Sequence, residues 1–341
     1  MRGQSPQQNT GASRVSANTP NLTVRIGPLT LKNPVITASG TCGYGEEYAP
    51  FLDLAKLGAF TTKSITLHPR PGNPPARIVE THGGMINAIG LANVGIDEFI
   101  ASKLPFIRTM GCPVFANVAG HSIDDYVQVA QRLDAADGLA GIELNVSCPN
   151  VADGLMFGTD PRLLHELVAK VRKVVTCGIL IVKLSPNVTD ISATASAAVH
   201  AGADALSLVN TFLGMAIDIE SWRPKIANES GGLSGPAIKP MAIHLVHKVW
   251  REVARDAKIP IIGIGGIRSW QDAVEFMLAG ATAVSVGTAL YVDPTTPLKI
   301  ADGLSAYLQR KNLTTPAQLV GQMISTKDTT AAPQSDSGTE G

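Results

Sequence analysis

The chain has 341 residues, 45% hydrophobic and 16% charged, with 28 basic side chains balancing 28 acidic ones. That length suits one large α/β domain, and the cancelled charge excludes an electrostatic grip on nucleic acid or on an acidic membrane surface. The four cysteines, Cys42, Cys112, Cys148 and Cys177, form no C-x-x-C and lack zinc-like histidine spacing, which argues against a zinc site or disulfide framework and for a reducing, cytoplasmic setting.

In chain order, residues 1–22 come first, rich in Ser, Asn, Gln, Thr and Gly and without the apolar core of a signal peptide. They read as a disordered tail, as do residues 327–341 at the other end. No apolar run approaches the roughly 18 residues needed to span a bilayer. Residues 23–326 form the folded domain. Its short apolar runs fall at 34–40, 59–65, 113–120, 141–149, 179–186, 205–211, 259–266 and 282–290. Eight near-continuously apolar runs are strands buried on both faces.

Helical spacing fills the intervals. Residues 124–136 place Val127, Ala130 and Leu133 on one side, and residues 160–175 do so with Leu163, Leu167 and Val171. "LGAF" (57–60), "AGADAL" (201–206) and "AGATAV" (279–284) each read as a helix-capping glycine feeding the next strand. Eight alternations of strand and helix predict a (β/α)₈ TIM barrel, with an open doubly wound sheet as the alternative. Segments 66–95 and 212–235 exceed the repeating unit. Long loops in such a barrel build its active site.

The polar residues gather at the C-terminal ends of these strands: Ser39, Lys63 with Ser64, Asn117, Asn145 with Cys148, Lys183 with Ser185, and Asn210 with Thr211. The last two strands end instead in Gly265-Gly266 and Gly287-Thr288. Barrel active sites lie on this face, and glycine loops after strands seven and eight bind phosphate through backbone N–H groups. The same residues have plainer readings, since Asn and Ser cap helices and Gly-Gly makes tight turns. Lys63 and Lys183 resist the plain reading, because a lysine at a closed barrel mouth is desolvated unless it meets an anion. Cys42, Cys112 and Cys177 read as small packed hydrophobes, and the seven histidines take no role. For Cys148, in "ELNVSCPN" (143–150), metal ligation, disulfide, nucleophile, proton-transfer base and packing all stay open.

Ten blocks carry a resemblance. "TASGTCGYGEEY", "KSITLHPRPGNPPAR", "NAIGLANVG", "NVSCPN", "FGTDP", "VKLSPNVTDI", "VNT", "GGLSGPAIKP", "IIGIGGI" and "AVSVGTA" follow one another. The sequence resembles, over roughly residues 22–325, the family 1 dihydroorotate dehydrogenases, flavin-dependent barrels that make orotate for pyrimidine synthesis. "NAIGL" and "NVSCPNVADGLMFGTDP" are similar to the NAD-linked class 1B rather than the fumarate-linked class. Membrane-associated members have serine at the position of Cys148. The related dihydropyrimidine dehydrogenases typically have histidine where this chain has Asn150. Ala92 and Val94 depart from the glutamine and proline more usual in the class.

The resemblance implies one FMN per chain, held by Ser39, Lys63, Ser64, Asn117, Asn145, Lys183, Val209, Gly235, Gly265, Gly266, Gly287 and Thr288. It implies dihydroorotate held by Lys63, Asn87, Ala88, Ile89, Gly90, Leu91, Asn145, Asn210 and Thr211, with Cys148 as the catalytic base and Lys63 and Lys183 supporting the chemistry. It also implies an electron-transfer subunit carrying FAD and a [2Fe–2S] centre, docked on a homodimer of this chain to make a heterotetramer. "GIGGI" lacks the G-x-G-x-x-G spacing and distant acid of a dinucleotide fold, so the NAD site is expected on that partner. A non-redox barrel binding a phosphorylated metabolite is the reading from a different class.

Overall fold

A computed structural model of the chain describes residues 19–147 and 157–325. Cys148, the start of the loop after it, and most of both expected tails lie outside the described residues. All eight expected strands form: β1 (Val35–Thr37), β2 (Phe60–Thr61), β3 (Val114–Val118), β4 (Gly141–Asn145), β5 (Ile179–Lys183), β6 (Ala205–Leu208), β7 (Ile261–Ile264) and β8 (Ala283–Val286). Each pairs in parallel with its sequence neighbour from β2 round to β8, and β8 pairs with β1. A parallel bridge between Ile36 and Ala59 joins β1 to β2. The sheet therefore closes on itself as a (β/α)₈ barrel, and the open doubly wound sheet is excluded.

Side-chain alternation splits the apolar residues into two layers. Val35, Val114, Leu144, Leu180 and Val284 pack outward against the helices. Ile36, Phe115, Ile181, Ala205, Ile262 and Ala283 fill the interior. An antiparallel hairpin, Val24–Ile26 with Leu29–Leu31, adds Val24, Ile26 and Leu31 to the interior cluster and plugs the barrel's N-terminal end. The sequence pattern did not reveal this hairpin. Its strands are three residues each, too short for alternation to register.

The two expected helices form with slightly rotated faces. Helix Ile123–Asp134 starts at a Ser122–Asp125 capping box and buries Tyr126, Val129, Ala130 and Leu133, leaving Val127 half-buried. Helix Pro161–Arg172 is capped by Asp160 and buries Leu164, Leu167, Val168 and Val171, with Leu163 at the margin. Each fully buried aliphatic contributes about 1.5–3 kcal/mol, so the stripe that maximises contact with the barrel sets the helix rotation. Gly202 and Gly280 take positive φ of +100° and +124° beyond their helices, as expected. Gly58 does not. It is small because a Cβ there would lie 2.1 Å from the Asn33 carbonyl oxygen. No described helix is long and apolar enough to cross a membrane.

The two oversized segments pair with each other. Strands Ile78–Thr81 and Gly84–Asn87 from the first join Phe212–Met215 and Ser230–Ser234 from the second in a four-stranded antiparallel sheet. That sheet belongs to the loops after β2 and β6, on the side where the strands end.

Candidate active site

The last inward-facing positions of the strands carry a buried polar network. Lys183, at the end of β5, is buried and donates from Nζ to Ser39 Oγ at 3.0 Å. Its Nζ lies 3.9 Å from Glu143 Oε1. Asn117 Nδ2 donates to the same Oε1 at 2.7 Å, and Ser64 Oγ donates to Asn117 Oδ1 at 2.5 Å. Ser207 Oγ donates to Glu143 Oε2 at 2.8 Å. Six strands or strand ends thus meet in this network, as buried polar groups require. Glu143 and Ser207 were not singled out from sequence. The available signal was spacing, since Glu143 stands two residues before Asn145 on one strand and so shares its inward face.

A second group forms the rim. Asn210 Nδ2 donates to Asn145 Oδ1 at 3.0 Å, and the Thr211 amide donates to Asn210 Oδ1 at 2.9 Å. Tyr126 Oη donates to the Asn145 carbonyl at 2.7 Å, which ties the strand end to the preceding helix, Ile123–Asp134. With its oxygen engaged by Asn210, Asn145 presents its NH₂ as a donor. Across the antiparallel sheet, Asn87 Nδ2 donates to the Gly232 carbonyl at 3.2 Å. Gly232 packs against Thr211 closely enough that a Cβ would meet Thr211 Oγ1 at 2.1 Å. Asn87, Thr211, Asn210 and Asn145 are therefore one neighbourhood, although they come from three separate segments. Ser185 stands apart: its hydroxyl accepts from the Asn187 amide at 3.2 Å and holds a turn.

The run Ala88–Leu91 is held by its own loop. Asn73 Nδ2 donates to the Ala88 carbonyl at 3.0 Å, the Asn73 amide donates to the Ile89 carbonyl at 3.0 Å, and Gly90 and Leu91 take φ of +73° and +54°. Asn93 fixes the return. Its Nδ2 donates to the Leu91 carbonyl at 2.7 Å, and its Oδ1 accepts from the Gly95 amide at 2.8 Å. Ala92 and Val94 flank this anchor, so the two sequence departures leave its hydrogen bonds intact. Asn93 was not picked out from sequence, where nothing separates an anchoring asparagine from an ordinary turn residue.

The glycines meet at the third group. Gly266, at φ +71°, approaches the Gly235 carbonyl so closely that a Cβ would lie 2.8 Å from that oxygen. Gly265, at φ +134°, has the same relation to Ala242 Cβ at 2.8 Å. Neither the Gly265 nor the Gly266 amide donates to another described residue. Thr288 Oγ1 donates to Ser234 Oγ at 2.9 Å, which brings the start of the Thr288–Tyr291 turn beside Gly235. Expected strand residues 287–290 are this turn and not ladder. Val209 is buried and its amide donates to the Ile264 carbonyl at 3.0 Å, beside Gly265. Bare backbone and free amides suit a phosphate, and the buried polar network around Lys183 at the same strand ends suits a planar, hydrogen-bonding ring, so these residues fit a phosphorylated flavin.

Lys63 is half-buried, and its Nζ makes no hydrogen bond to another described residue. Desolvation holds its pKa below the ordinary lysine range; Glu47 opposes this and Arg77 adds to it. A cation in that position is primed for an anionic partner. The remaining described thiols differ. Burial pushes Cys42 up to about 12 and Cys112 up to about 11, so both are inert. Cys177 is exposed, contrary to its expected packing.

Comparison with known proteins gives one consistent result. The dihydroorotate dehydrogenase family model matches residues 21–308. The "Dihydroorotate dehydrogenase B (NAD(+)), catalytic subunit" of Geotalea uraniireducens is 54% identical over 306 residues, covering 89% of this chain and 99% of that protein. The protein of the same name from Trichlorobacter lovleyi is 55% identical over 305 residues, with coverage of 89% and 99%. That of Geobacter sulfurreducens is 52% identical over 305 residues, with coverage of 89% and 98%.

Proposed function

The chain belongs to the dihydroorotate dehydrogenase family, and on that premise we propose that it oxidises dihydroorotate to orotate in pyrimidine biosynthesis, with a flavin as first electron acceptor and NAD as the last. The geometric observation that carries this reading is the buried Lys183, set among Ser39, Asn117 and Ser64 at the open end of the barrel. A buried lysine only partly offset by Glu143 at 3.9 Å suits a ligand that gains negative charge during the reaction.

The flavin is FMN in this reading, its phosphate received by Gly235, Gly265, Gly266, Gly287 and Thr288. When bound it supplies the acceptor for a hydride from C6 of the substrate. Ser39, Ser64, Asn117 and Val209 line its ring, and Lys183 offsets negative charge on it. Asn87, Asn145, Asn210 and Thr211 suit a planar pyrimidine whose edge alternates donors and acceptors, with Ala88–Leu91 closing over it. Lys63 meets the negative charge of the substrate. Cys148 takes the proton from C5.

Two partners complete the proposal: a second copy of this chain, and an electron-transfer subunit with FAD and a [2Fe–2S] centre. The relatives' names call them catalytic subunits. On this chain Leu213 and Met215 are exposed on the strand Phe212–Met215 after β6, and Ile217, Ile219 and Trp222 are exposed just beyond it. Apolar surface of that extent supports a protein contact.

The purified chain is expected to be yellow, and dihydroorotate is expected to bleach its flavin band anaerobically with orotate as product. A colourless protein, or a flavin bleached by an uncharged dihydropyrimidine and not by dihydroorotate, would overturn the reading.

The depressed Lys63 pKa gives a pH signature. An anion beside Lys63 binds its protonated form, so affinity is full below the lowered pKa and falls as pH rises through it. Arginine does not titrate in this range. Orotate affinity, followed by flavin difference spectra, is expected to decline at higher pH in Lys63→Arg than in the parent. Identical alkaline limbs would place the anion elsewhere.

A further inference from the structure

We propose that Glu143 is a positioning residue of the flavin site, fixing the direction of its hydrogen bonds and balancing the charge of Lys183. The inference rests on the flavin reading above. Glu143 sits inside β4, only 4% exposed. A carboxylate in such a place is costly, and apolar replacements of buried ion pairs are often neutral or stabilising. Stability alone therefore gives no reason for it.

Its contacts give one. An ionised carboxylate can only accept. Oε1 takes Asn117 Nδ2 at 2.7 Å and Oε2 takes Ser207 Oγ at 2.8 Å. Asn117 must then turn its Oδ1 away from Glu143, toward Ser64, whose hydroxyl donates to it at 2.5 Å. With its proton committed, Ser64 Oγ is left to the ligand as an acceptor. On the other side, Lys183 Nζ stands 3.9 Å from Oε1 and donates to Ser39 at 3.0 Å. One carboxylate thus sets the sense of hydrogen bonds reaching Ser64 and Asn117, and it partly neutralises the cation that would face the flavin.

Glutamine separates these effects. In Glu143→Gln the amide oxygen can still accept from Asn117, while Ser207, whose hydroxyl both donates and accepts, can turn to receive the new NH₂. The fold and flavin binding are expected to survive. The negative charge is gone, so Lys183 acts uncompensated and favours the reduced, anionic flavin. Dye-equilibrated titration of the full chain is expected to show the reduction equilibrium shifted at least tenfold toward reduced flavin, about 30 mV more positive for a two-electron couple. A flavin-loaded Glu143→Gln within threefold of the parent would overturn the proposal. Glu143→Asp keeps the charge and loses the reach. It is expected to stay within threefold in potential while its flavin dissociation constant rises roughly tenfold, the effect of losing one hydrogen bond to a charged group. Unchanged flavin affinity in that variant would also overturn it, whether or not the glutamine variant folds. A parent chain carrying no flavin defeats the underlying reading; a yellow parent bleached by dihydroorotate, with an unshifted Glu143→Gln, defeats this inference alone.

Discussion

Replacing Cys148 with alanine is expected to leave the flavin bound and to slow its reduction by dihydroorotate ~10²–10⁴-fold, the usual worth of a general base. A free thiol has a pKa of about 8.5 and is only a few per cent ionised near neutrality. It must release its own proton before it can accept one from carbon, so the parent rate should climb with pH until the thiolate is formed. Serine at this position is a far weaker acid; Cys148→Ser should retain a slow reaction whose rise lies at higher pH. The approach to the residue is well fixed. β4 ends at Asn145, whose carbonyl is clamped by Tyr126 Oη at 2.7 Å, and Val146 is buried. Anaerobic stopped-flow bleaching reads the step directly. An alanine variant reduced at the parent rate at neutral pH would remove Cys148 from the mechanism.

The second large effect concerns the electron acceptor. The chain by itself is expected to turn over dihydroorotate with an artificial dye, and to lose orders of magnitude in rate when NAD replaces the dye. The residues explain why. The glycines of "GIGGI" (263–267) are spent on close packing, Gly263 against Phe276, Gly265 against Ala242 and Gly266 against Gly235, and no dinucleotide fingerprint surrounds them. An iron–sulfur centre takes four thiolates. Here Cys42 is buried with its pKa at about 12, Cys112 is raised to about 11, and Cys177 is exposed elsewhere. Adding the proposed electron-transfer subunit, with its FAD and [2Fe–2S] centre, should restore NAD reduction at a rate set by the assembled complex. Fast NAD reduction by the isolated chain would defeat the two-subunit proposal, and efficient turnover with fumarate would reassign its acceptor.

The barrel strands were legible because burial on both faces writes them as apolar runs, and each of the eight runs contains its strand. Their ends were less clear. Residues 59–65 yield only Phe60–Thr61 as continuous strand, with Ala59 and Ile65 in single bridges to Ile36 and Val118, since Lys63 and Ser64 interrupt the ladder between them. Lys183, Ser39, Ser64 and Asn117 could be chosen from sequence by position alone, and the structure brings those four together. Glu143 could not be chosen so readily, because one acid within an apolar strand looks like a tolerated exception until its three neighbours are seen. The four-stranded sheet was beyond local pattern altogether. Asn87 and Gly232 are 145 positions apart, and nothing in the spacing of either segment encodes the register between them.

That long-range sheet also bears on the order in which the molecule assembles. Strands Gly84–Asn87 and Ser230–Ser234 hang from β2 and β6, which lie on different sides of the closed barrel. Their pairing closes a very long loop, and its entropy is recovered only once the intervening strands already hold the two anchors near each other. Barrel closure is therefore expected to come before the mouth takes shape. A nascent or partly unfolded chain can own most of its core while Asn87, Asn210 and Thr211 are still strangers, so the pyrimidine binding proposed for them is expected to be acquired last and surrendered first on unfolding.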